Sequence, residues 1–200
     1  MRTRPLGVLV TAGAISLAGM AVAGCSSGSD ALTGSTAPRG TFATEQPPKQ
    51  PPKPAGVLPS PISKQICSRE AQIEMASALG EEAQVSTPTW VDHLYSCTYD
   101  YATSTPAGSF AVSVKELSST AETTAYFEGL SSTMGRSREL NALGEGAFQT
   151  TNGSVVVRKD WKVLLVDNAG LPAQFGVPPT SSGSVAVTVA DVILGCWAGD

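Results

Sequence analysis

The segment between residues 26 and 61 limits most strongly what this chain can fold into. It is rich in Ser, Gly, Thr and Pro, and seven of the 14 prolines of the chain lie between Pro47 and Pro61. A segment with almost no large apolar side chain cannot bury a hydrophobic core, so we expect an extended, disordered tether here. The 139 residues from Ile62 to Asp200 remain for a single globular domain, and that length suffices for one core.

The chain before the tether has the pattern of an export signal. Arg2 and Arg4 form a short cationic region, and an apolar run of 19 residues, 6–24, ends immediately before Cys25. Glycines interrupt the run and no basic or aromatic residue follows it directly, which makes a permanent transmembrane helix the weaker interpretation. Residues 1–24 are therefore predicted to be a signal peptide.

The four residues Val22-Ala23-Gly24-Cys25 resemble the lipobox of bacterial lipoproteins. In that motif small residues admit the signal peptidase, and the acylated cysteine becomes the new amino terminus. Buried acyl chains contribute about 0.8 kcal/mol per methylene, so two or three of them hold a protein on a membrane. The resemblance implies a lipid on Cys25, a tether over residues 25–61, and a domain over residues 62–200 on the outer, extracytoplasmic face of the cell membrane.

Charge and residue types exclude several classes of function. The predicted domain has eight Lys and Arg against 15 Asp and Glu, a net charge of −7, which does not suit a nucleic-acid partner. The sequence has a single histidine and no Asp-rich calcium loop, so it contains no signal for a metal site. We therefore expect no cofactor and no metal.

Hydrophobic periodicity predicts an α+β domain in which an antiparallel sheet of about five strands packs against two or three helices. Ser68 and Ser119 have the sequence context of helix N-caps, and Glu122 completes a capping box with Ser119. The last segment also alternates like a strand, and we interpret it as a helix. The predicted order is α-β-β-α-β-β-β-α, with helices over 68–79, 119–134 and 185–193 and strands over 94–101, 110–115, 147–151, 155–158 and 163–167.

The four residues Thr151-Asn152-Gly153-Ser154 are the strongest hairpin signal in the sequence. Asn and Gly both tolerate a positive φ, so they predict a two-residue type I′ turn between the flanking strands. That turn requires a positive φ at both Asn152 and Gly153.

Several short motifs follow one another along the chain. Besides the lipobox and the tether, they are Cys67 at the start of the first helix, a Cys97-x-Tyr99 strand, Leu143-Gly144-x-Gly146, and Val157-Arg158-Lys159-Asp160 ahead of an apolar strand. Together they resemble the small lipoproteins of unknown function that are common in actinobacteria. The resemblance covers the whole chain and implies a compact, two-cysteine α+β domain, loosely similar to the PsbP-like sandwich. It transfers no catalytic residue.

The predicted domain has three cysteines, and an exported domain meets an oxidising environment that favours disulfides. A bridge between Cys67 and Cys97 would close a loop of about 30 residues and contribute roughly 3.5 kcal/mol, while a bridge to Cys196 would contribute roughly 1 kcal/mol more. Chain entropy therefore does not choose between these bridges. The family resemblance implies the Cys67–Cys97 pair, and Cys196 is then expected to be a buried, reduced thiol beside Trp197 or to pair between chains.

Two groups of polar residues are candidates for a functional site. His93 lies beside Asp92, but no nucleophile motif accompanies them, so no catalytic residue is predicted. Arg158, Lys159 and Trp161 lie at a predicted hairpin tip, where cations and an indole could bind an anionic ligand, a sugar or a protein partner. The alternative is a solvated turn whose tryptophan packs back on the sheet.

These features leave two classes of function. The first is a non-catalytic binding or interaction module for an envelope component or another protein, and the second is an envelope-directed hydrolase or transferase without a recognisable motif. The sequence shows no reactive constellation, and this favours the binding module. We therefore expect that the protein is not an enzyme.

The lipobox generates a direct test of membrane attachment. We expect the Cys25→Ala variant to incorporate no fatty acid and to lose retention in the membrane fraction, because the thiol is the acylated atom. Metabolic labelling with a radioactive fatty acid, followed by cell fractionation, measures both properties. A processed Cys25→Ala protein that stays in the membrane fraction would contradict the lipoprotein interpretation.

Overall fold

The computed structural model describes residues 51–197, which fold into helices packed on both faces of one antiparallel sheet. The predicted signal peptide, Cys25 and the tether up to residue 50 lie outside the described residues. The helices are α1 (Pro61–Gln65), α2 (Arg69–Leu79), α3 (Thr120–Met134) and α4 (Ser182–Cys196). The strands are β1 (Gln84–Val85), β2 (Thr89–Val91), β3 (Leu94–Tyr101), β4 (Gly108–Glu116), β5 (Arg136–Glu139), β6 (Gly146–Thr150), β7 (Val155–Lys159), β8 (Lys162–Asp167), β9 (Gln174–Phe175) and β10 (Thr180–Ser181).

The main sheet has the strand order β1-β3-β4-β8-β7-β6-β5, and β2 also pairs with β3, beside β1. Every pairing is antiparallel, and β9 and β10 form a separate two-stranded ribbon. The predicted α+β class is confirmed. The short elements α1, β1, β2, β5, β9 and β10 were not predicted, because two to five residues are too few to show a hydrophobic period.

The helix boundaries follow from local capping. The Ser68 hydroxyl accepts a hydrogen bond from the Ala71 amide, and Gly80 ends α2 in the left-handed conformation. In α3 the Ser119 hydroxyl accepts from the Glu122 amide, as the capping box predicts. The Glu122 carboxylate, however, accepts from the amide of Ser118, one residue earlier than the motif requires.

The larger core lies between one face of the sheet and helices α1, α2 and α4. Alternate residues of the central strands point into it, because successive strand side chains point to opposite faces. Phe127 of α3 packs on the other face of the sheet against Phe148, Val156 and Val163. The largest fully buried side chains of the larger core are Tyr99, Tyr101, Phe110, Phe175, Ile66, Met75, Leu164, Val112, Val114 and Val155.

A disulfide between Cys67 and Cys97 connects the start of α2 to the middle of β3, with an S–S distance of 2.12 Å. This is the pair that the family resemblance implied. Next to it the Tyr99 hydroxyl donates to the Ile66 carbonyl at 2.7 Å, and burial raises the pKa of that phenol. Cys196 lies half-buried at the end of α4, outside this bond, so the expectation that it is fully buried is wrong. Trp197 beside it is buried.

The turn between β6 and β7 differs from the prediction. Gly153 has a φ of +91°, but Asn152 does not have a positive φ. The Gly153 amide donates to the Thr150 carbonyl at 3.0 Å, and the Thr150 amide donates to the Ser154 carbonyl, so the loop has three residues. The Asn152 side-chain oxygen accepts from the Ser154 amide at 3.2 Å, which is the local bonding that Asn favours in turns.

Two-residue loops with a positive φ at both positions occur elsewhere, and one of them is the predicted hairpin tip between β7 and β8. Asp92 and His93 have φ values of 50° and 58° between β2 and β3, and Asp160 and Trp161 have the same values between β7 and β8. These are the values of type I′ turns. Neither His nor Trp is typical of this position, so the surrounding strand pairs decide these turns.

The positive φ of Gly153 still disfavours any residue with a side chain at this position. We expect Gly153→Val to lower the free energy of unfolding by about 1–2 kcal/mol, because a β-branched residue is strained at positive φ. A Cβ atom there would also lie 3.2 Å from Cα of Gly183. Gly129→Val in α3 is the control, because no atom apart from the neighbouring backbone of its own helix lies within 4 Å of its Cβ position. Chemical denaturation measures both, and equal midpoints for the two variants would contradict the prediction.

Candidate functional site

Two buried charged residues of this domain, Glu116 and Lys162, lie at the end of the sheet where β4 ends and β8 begins. There the Glu116 amide donates to the His93 carbonyl and the Leu117 amide to the Trp161 carbonyl, both at 2.9 Å. The two type I′ hairpins therefore lie on either side of the end of β4. Between them the Ala55 amide donates to the Leu117 carbonyl at 3.1 Å, so the chain before α1 crosses this end of the sheet.

The chain between residues 55 and 61 is bound to the domain, although the predicted tether extends to Pro61. The Trp90 indole donates to the Val57 carbonyl at 2.9 Å, and Nδ1 of His93 lies 3.1 Å from the Gly56 carbonyl oxygen. Pro61 is already the first residue of α1. On the side of residues 55–57 the contacting atoms are backbone carbonyls and an amide. Every residue has these atoms, so the composition of the segment does not indicate the contacts. Composition therefore placed the start of the folded chain several residues too late.

A cleft of about 290 Å³ lies between this crossing segment and the sheet. We call it the sheet-end cleft. Its outer wall comes from the crossing segment and its inner wall from the ends of β4, β7 and β8. Its lining residues are Pro51, Pro52, Lys53, Pro54, Gly56, Leu58, Ser60, Pro61, Glu116, Asp160 and Lys162.

The carboxylate of Glu116 is buried on the inner wall, with 5% of the residue exposed. Its Oε1 atom accepts from the Ser60 amide at 2.7 Å and from the Ser63 hydroxyl at 2.5 Å. Both donors belong to the first turn of α1 or to its N-cap. Glu116 thus attaches α1 to the sheet through one oxygen. Within residues 51–197, Oε2 accepts no hydrogen bond.

Lys162 lies beside Glu116 and is also buried, with 7% of the residue exposed. The two residues are Cα partners in the β4–β8 ladder, so their side chains lie on the same face. The Lys162 ammonium donates one long hydrogen bond, 3.5 Å, to the Asp160 carbonyl. No direct ion pair within 4.0 Å joins Lys162 to Glu116 or to another carboxylate of the described chain. Oε2 of Glu116 is not among the buried polar atoms that lack a partner, so solvent or a ligand can reach it. The ammonium has three donors and uses one of them within the described residues.

The structure places Arg158, Lys159 and Trp161 at three separate contacts. The Arg158 guanidinium donates to the Thr124 hydroxyl of α3 at 2.9 Å, while the Lys159 ammonium donates to the Trp197 carbonyl at 3.1 Å on the opposite face. The Trp161 indole donates to a hydroxyl of α3 at 3.1 Å. These side chains are not brought together at one surface. The alternation of strand residues already indicated that neighbours such as Arg158 and Lys159 point apart.

The Leu143-Gly144-x-Gly146 motif has a packing role. Gly144 has a φ of +58°, and a Cβ atom there would lie 2.6 Å from the Arg158 carbonyl oxygen. The next amide, of Glu145, donates to the same oxygen at 2.8 Å. The glycine therefore lets this loop approach the end of β7 closely, beside an open cleft of about 490 Å³ that Lys159 also lines.

His93 is exposed and has no nucleophile among its contacts. Its ring lies edge-on to Trp90, with 5.7 Å between the ring centroids, and Nδ1 faces the Gly56 carbonyl. In the described part of the chain, no three His, Cys, Asp or Glu side chains are grouped to hold a metal ion. Over the same residues, no helix has both the length and the apolar character to cross a bilayer.

Searches for similar proteins returned no matching family model, no matching curated protein and no matching solved structure.

The attachment of α1 through Glu116 can be tested by hydrogen exchange. We expect Glu116→Ala to accelerate exchange of the Ser60 amide on the order of 10- to 100-fold, because a hydrogen bond to a charged acceptor contributes about 1.5–3 kcal/mol. The Ala55 amide should accelerate with it if the crossing segment detaches as a unit. Glu122→Ala is the control, because Glu122 accepts a backbone amide at the start of α3 instead. Unchanged exchange at Ser60 in Glu116→Ala would contradict the assignment.

Proposed function

We propose that this protein is a non-catalytic binding module, held on the outer face of the cell membrane by a lipid on Cys25. The proposal joins two parts, a location and a kind of activity. The location rests on the lipobox resemblance and on the disulfide. The activity rests on the sheet-end cleft.

The disulfide supports an extracytoplasmic location. Cys67 and Cys97 are bonded to each other, and such bonds form and persist in oxidising compartments. The export signal predicted at residues 1–24 leads to such a compartment. The bond and the signal are independent features of the chain, and they agree.

The sheet-end cleft is the observation that carries the binding activity. It combines two buried, oppositely charged side chains, Lys162 and Glu116, with a wall of proline rings. Ligand sites are typically concave and largely apolar, with a few polar groups that orient the ligand. Glu116 has the chemistry of a general base, but its Oε1 atom already accepts from the Ser60 amide and the Ser63 hydroxyl and so holds α1 on the sheet. His93 does not line the cleft, and it faces a backbone carbonyl and the Trp90 ring.

The number of residues between Cys25 and the cleft limits how far the cleft can lie from the membrane. Twenty-six peptide units separate Cys25 from Pro51, the first residue that lines the cleft. A chain spans at most about 3.6 Å per residue, so the cleft lies within roughly 90 Å of the lipidated residue. A ligand of this cleft would therefore be an envelope component within that distance of the lipid surface.

Protease accessibility tests the proposed location. Proteinase K added to intact spheroplasts should degrade the wild-type protein, because the domain faces outward, and should spare a cytoplasmic marker. A variant lacking residues 2–24 is the matched control: without its export signal it should stay inside and survive. Survival of the wild-type protein under conditions that digest a known surface protein would overturn the proposed location.

A further inference from the structure

The sheet-end cleft presents an ammonium and a carboxylate on neighbouring positions of one sheet face. Lys162 and Glu116 are partners in the strand register, both are more than nine-tenths buried, and no direct ion pair joins them. Among the residues that the structure describes, the Lys162 ammonium donates only its 3.5 Å bond to the Asp160 carbonyl, and Oε2 of Glu116 accepts no bond. The protein thus leaves a gap between two buried opposite charges.

The rest of the lining specifies what would fill that gap. Four of the lining residues are prolines, three in the crossing segment and Pro61 at the start of α1, and Leu58 adds an apolar side chain that is 72% exposed. These walls favour an apolar group on the ligand. The other charged residues that line the cleft are Lys53 and Asp160, so two cations face two carboxylates. A polyanion or a polycation would meet repulsion from one of these pairs.

We infer that the sheet-end cleft binds a small zwitterion of the α-amino-acid type with an apolar side chain. The ligand carboxylate accepts from the Lys162 ammonium, and the ligand ammonium donates to Oε2 of Glu116. The apolar side chain packs on the proline wall. This assignment rests on the proposed binding function and names its ligand class. It satisfies both buried charges with one molecule, because charge-assisted hydrogen bonds are the strongest available to each.

A neutral polyol is the competing ligand class. Its hydroxyl groups can both accept from Lys162 and donate to Glu116, but they bring no opposite charge to either. A ligand group of opposite charge adds Coulomb attraction to the hydrogen bond, and this attraction is stronger at a buried site than in water. The cleft therefore favours the zwitterion, and a neutral sugar serves as a comparison ligand in the test.

Three related ligands test each charge separately on the unaltered full-length protein in detergent. L-Leucine has both charges, N-acetyl-L-leucine lacks the ammonium, and L-leucinamide lacks the carboxylate. Isothermal titration should show binding of L-leucine, with each derivative weaker by at least about tenfold, because each loses one ion pair with a buried side chain. The neutral disaccharide sucrose should bind no better than the derivatives.

Two conservative variants assign the contacts. Lys162→Met should weaken L-leucine at least about tenfold and L-leucinamide by a clearly smaller factor, since the neutral amide of that ligand forms no ion pair with Lys162. Glu116→Gln should weaken L-leucine and affect N-acetyl-L-leucine by a clearly smaller factor, while its amide oxygen can still accept from Ser60. Lys159→Met is the matched control: Lys159 lies on the same face but donates to the Trp197 carbonyl and does not line this cleft. It should leave L-leucine binding unchanged.

The outcomes distinguish a wrong ligand assignment from a wrong location of the protein. A variant that damaged only the fold would weaken all three ligands equally, and that result would overturn the assigned contacts. No heat of binding with L-leucine on the wild-type protein, or binding of sucrose as tight as that of L-leucine, would overturn the zwitterion assignment. Neither result affects spheroplast accessibility, so failure of the ligand assignment and failure of the proposed location are distinguishable.

Discussion

Burial of the central strands on both faces is the constraint on which the rest of this structure depends. Val155, Val156 and Val157 are consecutive on β7 and are all fully buried, so neither face of that strand can remain in contact with water. Helices must therefore cover both sides of the sheet. Helix α4 packs on one face and α3 on the other, and the Cys67–Cys97 bond holds the start of α2 against the first face.

The apolar surface of the sheet ends where β4 ends and β8 begins, and the candidate site lies there. Beyond Val114 and Leu164 the strand residues of the first face change from apolar to charged, at Glu116 and Lys162. Helix α1 and the crossing segment nevertheless bury these charges. One oxygen of the Glu116 carboxylate accepts hydrogen bonds from the N-cap and the first turn of α1. The remaining oxygen and the Lys162 ammonium are the groups that a ligand can still reach.

Capping and periodicity predicted the long elements well, because both are local. The strand over 94–101 has the predicted bounds, and the three longer helices have the predicted serine N-caps or apolar faces. Turn geometry was predicted less well. The φ of Asn152 depends on which partner its side-chain oxygen bonds, and the φ of Trp161 depends on the register of two strands. Four consecutive residues of sequence show neither the bonding partner of a side chain nor the register of two strands.

By itself, the sequence determined the α+β class and the identity of the long elements. These follow from the spacing of apolar side chains, which acts over one or two turns or a few strand residues. Only the tertiary structure decided that the segment before α1 crosses the sheet end, and that Lys162 stands opposite Glu116. The two residues are 46 positions apart, and their meeting depends on the pairing of β4 with β8. Long-range pairing is a property of the whole packed sheet, so a polar site built on it has no local signature in the sequence.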